Sequence, residues 1–328
     1  MKDRSSALNQ ELPKDLVSEI ALISSKPMSA GFSTLVEKLK SRFGASLDAV
    51  ILYGSCLRSH EIDDGVVDFY VIVNSYHNAY PEHYLRYFNV WLPPNVFYLE
   101  TSDQKKTLRA KYAVVSMEDF KCGNRHWFHP YLWARFAQPV RLLYCRNEVI
   151  RDYIYDSLGH AVITFLRNSL AAIDLHEVTA EEIWAHGLTL TYAAELRPEQ
   201  KTRAHQLIQF DLDNYAQLTE HALPALAGKL EGLPQLKNEQ RRYRVLFSAL
   251  ERQRSLKNWR LRRWQGRILS ILRLIKATFT FRDCIDYAAW KIERHTGVLI
   301  EITPMLRRHP VIWGCKVFWK LLRRGVLR

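Results

Sequence analysis

The chain has 328 residues, 48% of them hydrophobic and 12% aromatic, with a formal charge of +13. A chain of this length and apolar content buries cores rather than staying disordered, and it is long enough for more than one domain. Its five cysteines (Cys56, Cys122, Cys145, Cys284, Cys315) are odd in number and form no C-x-x-C pair. That argues against a zinc site or disulfide framework and for a reducing compartment.

No run reaches about 18 uninterrupted apolar residues, so no transmembrane helix is expected. The stretch MKDRSSALNQELPKDL lacks an apolar core, so neither a signal nor a transit peptide is expected there. The charge is unevenly spread. From Arg241 to Arg328 there are 22 Lys or Arg against five acids, a net of +17, which leaves 25 bases and 29 acids in the first 240 residues. A nearly neutral body thus carries a strongly basic end, and that end is expected to meet something anionic, membrane lipid or nucleic acid.

In chain order, residues 13–43 carry helical periodicity through Leu16, Ile20 and Leu22, then Phe32, Leu35, Leu39 and Phe43. A short apolar strand follows over 49–53, then a Gly-Ser turn, a polar loop, and a second strand over about 66–73 that opens with Asp68. The aromatic-rich segment after Pro81 reads as a helix ended by Pro93-Pro94. Asn95–Glu100 and Leu108–Ser116 read as a hairpin added to the sheet, 117–135 as helix, and 139–144 as a last strand. This order predicts an α+β catalytic domain with a mixed sheet over residues 1–145. From Glu148 onward strand signals vanish, Thr179-Ala-Glu-Glu182 has the form of a capping box, and a helical domain is expected over 146–238. Residues 226–238 read as the link to a basic region over 239–328.

Within that region Leu261, Trp264, Ile268, Leu272 and Ile275 share one helical stripe, while Arg262, Arg263, Arg267, Arg273 and Lys276 occupy much of the rest. The last segment repeats the pattern, with Trp313, Val317, Phe318, Leu321 and Leu322 set against Lys316, Lys320, Arg323 and Arg324. Such helices lie in an anionic membrane interface, or else pack their apolar stripes on the core with the arginines solvated.

The stretch 52–73 carries the chemistry. Gly54 lets a backbone approach a phosphate without a Cβ in the way, and Ser55 adds a hydroxyl donor. Asp68 is placed to hold a hard cation such as Mg²⁺ against that phosphate. Polymerase-β-like transferases carry Asp-x-Asp on this second strand, and here the second position is Tyr70. Glu100 is the candidate second metal ligand, with Asp63 and Asp64 as competing choices. Lys111 and Arg109 alternate on one strand face and suit phosphate binding, or protect an edge strand. Arg135, set among apolar residues, needs an anionic partner. His77 and His83 are weaker candidates, in a segment where a packed histidine is the commoner outcome.

Several blocks in order resemble the mitochondrial-type (translocator-maintenance) phosphatidate cytidylyltransferases, the CDP-diacylglycerol synthases of that type, and their bacterial relatives. They are Tyr53-Gly54-Ser55, Asp68-Phe69, His83-Tyr84, Lys111 to Ser116, Arg135 with Pro139-Val140, and Tyr192 to Lys201. The resemblance implies a nucleotidyltransferase fold, a winged-helix-like helical domain and a membrane-contacting C-terminal part. It also implies transfer of CMP from CTP to phosphatidic acid with Mg²⁺, with Tyr53, Gly54, Ser55 and Arg109 on the nucleotide and Lys111 and Arg135 as charge clamps. The family tends to have an apolar residue at the position of Tyr70; the chain departs from its pattern at Cys56, Leu99 and Gln138. The partners expected are CTP, phosphatidic acid and an anionic membrane surface rather than nucleic acid, at the inner face of a bacterial cytoplasmic membrane. Two rival readings keep other outcomes open: the same fold acting on RNA, protein or a small molecule, and a non-catalytic lipid-binding protein.

Overall fold

A computed structural model describes residues 11–29, 31–54, 56–59, 66–103, 106–195, 201–235, 240–280 and 302–305. Ser55, Asp63 and Asp64, and the expected amphipathic segment after Pro310, lie outside the described residues. Two helices, α1 (Lys14–Ser24) and α2 (Gly31–Phe43), fill the periodic N-terminal stretch. Five strands then form one sheet: β1 (Leu47–Tyr53), β2 (Val66–Val73), β3 (Asn95–Asp103), β4 (Lys106–Ser116) and β5 (Arg141–Cys145). Their order is β3-β4-β2-β1-β5, with β2 and β4 parallel and every other pair antiparallel. The architecture is the α+β arrangement with a mixed sheet that the element order predicts.

The sheet is covered on both faces, which is why β1 and β2 read as apolar runs rather than as alternating ones. Ala49, Ile51, Tyr70, Ile72, Ala113 and Val115 face one core; Val50, Leu52, Phe69, Val71, Tyr112 and Val114 face the other. The second core is closed by α2 together with α4 (Tyr76–Ala79) and α5 (His83–Trp91). The first is closed by α6 (Met117–Arg125), α7 (Trp133–Phe136), the 23-residue α8 (Glu148–Leu170) and also α1. So α1 packs with the helical layer, against α8 and α11 (Leu212–Ala222), although it precedes the sheet in sequence.

The helical half is not free of strands. β6 (Glu177–Thr179), β7 (Leu230–Gly232) and β8 (Arg242–Val245) form an antiparallel sheet in the order β6-β8-β7. Its β6 packs on α9 (Ala180–Ala193), which in turn packs on α10 (Lys201–Gln209) and α11. This corrects the expected loss of strands after Glu148 and the expected linker over 226–238, which contains β7. Three- and four-residue strands are too short to show a period of two. The capping box at α9 is present: Thr179 Oγ1 accepts from the Glu182 N–H (3.2 Å), and the Thr179 N–H donates back to Glu182 (2.8 Å).

After β8, the basic region continues as α12 (Ala249–Thr280), 32 residues long, opened by reciprocal Ser248 and Glu251 hydrogen bonds. Its orientation reverses the usual pattern. Ser255, Trp259, Arg262, Gly266, Lys276 and Thr280 are buried against the body, while Leu261, Trp264, Ile268, Ile271 and Ile275 are exposed, Trp264 by 64%. Neither sequence expectation for the basic residues holds throughout, because two of them are anchors. Arg262 Nε donates to the Phe128 carbonyl (2.8 Å) and Nη2 to Asn168 Oδ1 (2.6 Å), and its guanidinium lies over the rings of Phe128 and Trp259. Lys276 Nζ donates to the carbonyls of Phe88, Leu92 and Pro94 at the end of α5. Burial and then the charge of Arg273 lower this amine to about 7, and the three carbonyls satisfy its N–H groups.

Gly266 permits the closest approach. A Cβ at this position would lie 1.7 Å from the Ala194 carbonyl oxygen and 2.6 Å from His129 Nε2. Gly266→Ala is expected to destabilise the protein by about 1–3 kcal/mol through overpacking, against a helix-propensity gain of about 1 kcal/mol. Urea unfolding and proteolysis within α12 measure this; a more stable variant would show that α12 is not seated as described.

Candidate active site

The candidate residues meet where β1 ends and β2 begins, on the sheet face covered by the helical layer. In register, Asp68 lies opposite Tyr53 on β1 and opposite Lys111 on β4. Side chains across a register pair share a face, so the three project to one side. Gly54 adopts a φ of +87°, a conformation that L side chains rarely take, and a Cβ there would lie 3.2 Å from Asp68 Oδ2. The turn is therefore built around the Asp68 carboxylate. Lys111 Nζ stands 3.3 Å from Asp68 Oδ1, both side chains about a third exposed (35% and 29%). Burial raises the Tyr53 phenol well above its ordinary value, and the Asp68 charge adds to it.

Behind this pair lies a buried charged group. Arg135 on α7 holds Glu195, just past α9, at 2.9 Å, with the two side chains only 10% and 11% exposed. Nη1 of Arg135 donates to the Tyr131 carbonyl, and its guanidinium lies 3.9 Å from the Tyr131 ring centroid. Arg273 of α12 lies 3.7 Å from the same centroid. Two guanidinium groups this close to one ring centroid stand on opposite faces, so Tyr131 is sandwiched. Burial opposes ionisation of Tyr131, yet Arg135 and Arg273 outweigh it and its phenol lies below the ordinary value.

His129 completes the wall. Its Nδ1 accepts from the Tyr131 N–H (3.2 Å), which leaves the proton on Nε2, facing the Ala194 carbonyl at 3.4 Å.

The structure does not bring every candidate together. Glu100 lies two strands from β2 and opposite Arg109, which it contacts at 3.2 Å while accepting from the Tyr98 hydroxyl at 2.8 Å. Strand spacing puts its Cα about 12 Å from that of Asp68. In this structure the Glu100 carboxylate is engaged by Arg109 and Tyr98 and does not join Asp68. The Arg109 contact to Glu100 is made through its Nε. His77 and His83 belong to the α4–α5 segment, away from this face. The anionic partner that Arg135 requires is Glu195, within the chain.

What the site offers a cation is a single carboxylate, Asp68. Among the described residues no group of three or more His, Cys, Asp or Glu gathers to hold a metal. One carboxylate beside a phosphate-approachable glycine still fits, since Mg²⁺ takes one or two carboxylates and completes its shell with substrate phosphates and water.

Sequence reasoning missed Tyr131, His129, Glu195 and Arg273 as neighbours of the site. Glu195 stands within the Tyr192 to Lys201 block, and Arg273 on the amphipathic helix, but neither carries a local signal of where it points.

No protein-family model matches the chain, and no curated protein does. Among solved structures, it is similar to a nucleotidyltransferase-like protein from Exiguobacterium sibiricum 255-15, at 12% identity over 92% of this chain and 93% of that one, with a TM-score of 0.25. A TM-score that low does not establish a shared fold, so the functional reading rests on the chain's own geometry. Among the described residues no helix is long and apolar enough to cross a membrane.

Two predictions follow from the buried group. Glu195→Ala leaves Arg135 uncompensated and is expected to cost about 3–5 kcal/mol in chemical denaturation; a cost near zero would mean that the pair is solvated. Burial, then the charge of Arg273, lowers His129 from 6.5 to about 4 in the folded state. The unfolded chain therefore binds more protons between these values, and stability is expected to fall as pH drops from 6.5 towards 4. Melting curves across that range should flatten in His129→Gln; an unchanged slope would remove His129 as the cause.

Proposed function

We propose that the chain is a nucleotidyltransferase of the phosphatidate cytidylyltransferase type, transferring CMP from CTP to phosphatidic acid at a membrane surface. The observation that carries the reading is the Gly54 turn closed on the Asp68 carboxylate, with Lys111 beside it and Arg135 behind. Ser55 follows Gly54 directly in sequence, and the resemblance assigns the pair to the triphosphate.

The phosphatidate oxyanion forms a bond to the α-phosphorus of CTP. The bond from that phosphorus to the α,β-bridging oxygen breaks, and pyrophosphate leaves with the electron pair. The attacking group is already an oxyanion, so no strong base is required, and alignment with charge neutralisation does the work. Asp68 would hold Mg²⁺, which when bound supplies charge neutralisation on the α-phosphate and the departing pyrophosphate. Lys111 serves as a point charge at the phosphates. Arg135, with its donors on Glu195 and Tyr131, positions the wall rather than gripping substrate through a free fork.

The outward stripe of α12 supports a bilayer as the place of action. It presents Leu261, Trp264, Ile268, Ile271 and Ile275 over about 21 Å of helix, flanked by exposed Arg260, Arg263 and Arg267. An apolar ridge with basic flanks matches an anionic lipid surface, where each well-placed cation contributes about 1 kcal/mol. Nucleic acid would leave that ridge in water. The reading is thus of a peripheral protein on the inner face of a bacterial cytoplasmic membrane.

The test combines CTP, Mg²⁺ and phosphatidate-containing liposomes and follows both CDP-diacylglycerol and pyrophosphate. Wild type is expected to form both, with Asp68→Ala slower by about 10²-fold or more. Liposome binding without lipid product would sink the assignment of acceptor and reaction.

A further inference from the structure

Arg273 is a cation of the buried group with donors left open. Its Nε and Nη1 are both buried and, among the described residues, have no hydrogen-bond partner. The nearest carboxylate wall is occupied, since Glu195 holds Arg135 at 2.9 Å. What Arg273 touches is the Tyr131 ring, 3.7 Å from its centroid, which fixes the guanidinium plane without satisfying its N–H groups.

The charges of the group do not cancel either. Asp68 faces Lys111 and Glu195 faces Arg135, which leaves Arg273 as a surplus positive charge beside two neutralised pairs. Its effect reaches its neighbours: burial and then Arg273 lower Lys276 to about 7, and Arg273 also contributes to holding His129 low. A desolvated guanidinium with two unpaired buried donors, whose neighbouring carboxylate Glu195 is already held by Arg135, is costly unless an anion arrives.

We infer that Arg273 is an anion-binding residue of the active site, its fork receiving a phosphate oxyanion of the reactants. Resting on the function proposed above, the inference adds a ligand-contacting group contributed by the C-terminal helix rather than by the sheet. Nε and Nη1 lie on different edges of the rigid guanidinium and offer an oxyanion N–H donors in fixed directions, as the rotating ammonium of a lysine at this position would not. Tyr131 acts with it as a positioning residue, keeping Arg135 and Arg273 apart on its two faces. The oxyanion belongs either to CTP or to the phosphate headgroup of the acceptor, and the two sources separate by experiment.

The experiment uses the full chain and reads binding apart from turnover. Affinities of wild type, Arg273→Met and Arg273→Lys are measured for inorganic pyrophosphate, for CTP, and for phosphatidylcholine vesicles with and without phosphatidate. Arg273→Met is expected to weaken one of these phosphate ligands by about tenfold or more, with unchanged binding to vesicles lacking phosphatidate. A loss confined to CTP and pyrophosphate assigns the fork to the nucleotide; a loss confined to phosphatidate assigns it to the acceptor.

Equal affinities of wild type and Arg273→Met for every probe would overturn the inference. Should Arg273→Met lower the melting temperature, Arg273→Lys decides, since it keeps the charge and loses the fork: wild-type affinity in that variant overturns the inference, and weakened affinity supports it. Arg273-dependent anion binding by a protein that forms no CDP-diacylglycerol would leave the inference standing and remove the reaction. Product formation untouched by Arg273→Met, with unchanged KM for both substrates, would do the reverse.

Discussion

Burying Arg135 with Glu195 is the constraint on which the site and much of the packing depend. Two ions taken out of water repay that cost only when their geometry is held and their remaining donors are satisfied. Here the holding comes from three directions. Tyr131 gives Arg135 a carbonyl acceptor and a ring face, His129 fixes the backbone of Tyr131, and Ala194, beside Glu195, contacts that histidine. Displacing any of these would loosen the others. Asp68, Lys111 and the Gly54 turn rest on the open side of this group and inherit its rigidity.

The same group explains why α12 docks through its polar face. A helix laying a leucine stripe on the body would meet the Ala194 carbonyl, His129 and the carbonyls that end α5, groups that demand donors or very close approach. Gly266 supplies the approach, while Arg262 and Lys276 supply the donors. Stacking of Arg262 on Phe128 and Trp259 recovers apolar contact for its stem and plane. The apolar stripe is then left outward by the geometry of the helix, because residues half a turn apart cannot face the same way.

How much of this was legible in the sequence follows from the range of each signal. β1, β2 and the β3–β4 hairpin were readable because burial on two faces leaves a continuous apolar run, and Asp68 stood out as the polar residue interrupting one. That Arg135 needs an anion was readable from its apolar neighbours; that Glu195 supplies it was not, since the pair spans 60 residues. β6, β7 and β8 escaped notice because strands so short carry no periodicity. The amphipathicity of α12 was plain, whereas its direction was hidden: hydropathy assigns the apolar stripe inward, and only the carbonyls at the end of α5 and the crowding at Gly266 reverse it. The distance of Glu100 from Asp68 was hidden for a related reason, since closeness across a sheet depends on strand order, which places β4 between β3 and β2.

This inversion gives α12 two roles that cannot vary independently. Positions two apart on an α-helix point about 200° away from each other, so Arg273 faces the Tyr131 ring while Ile271 and Ile275 on either side of it face outward. Trp259, Arg262 and Lys276 pin the helix along its length, so it cannot roll to present more of the stripe without withdrawing Arg273. A surface that receives the stripe therefore lies at a set distance from the Asp68 carboxylate. For a transferase whose acceptor stays in a bilayer, that distance decides how far the headgroup must rise to meet the nucleotide. The fold fixes it through the seating of one helix rather than through a loop.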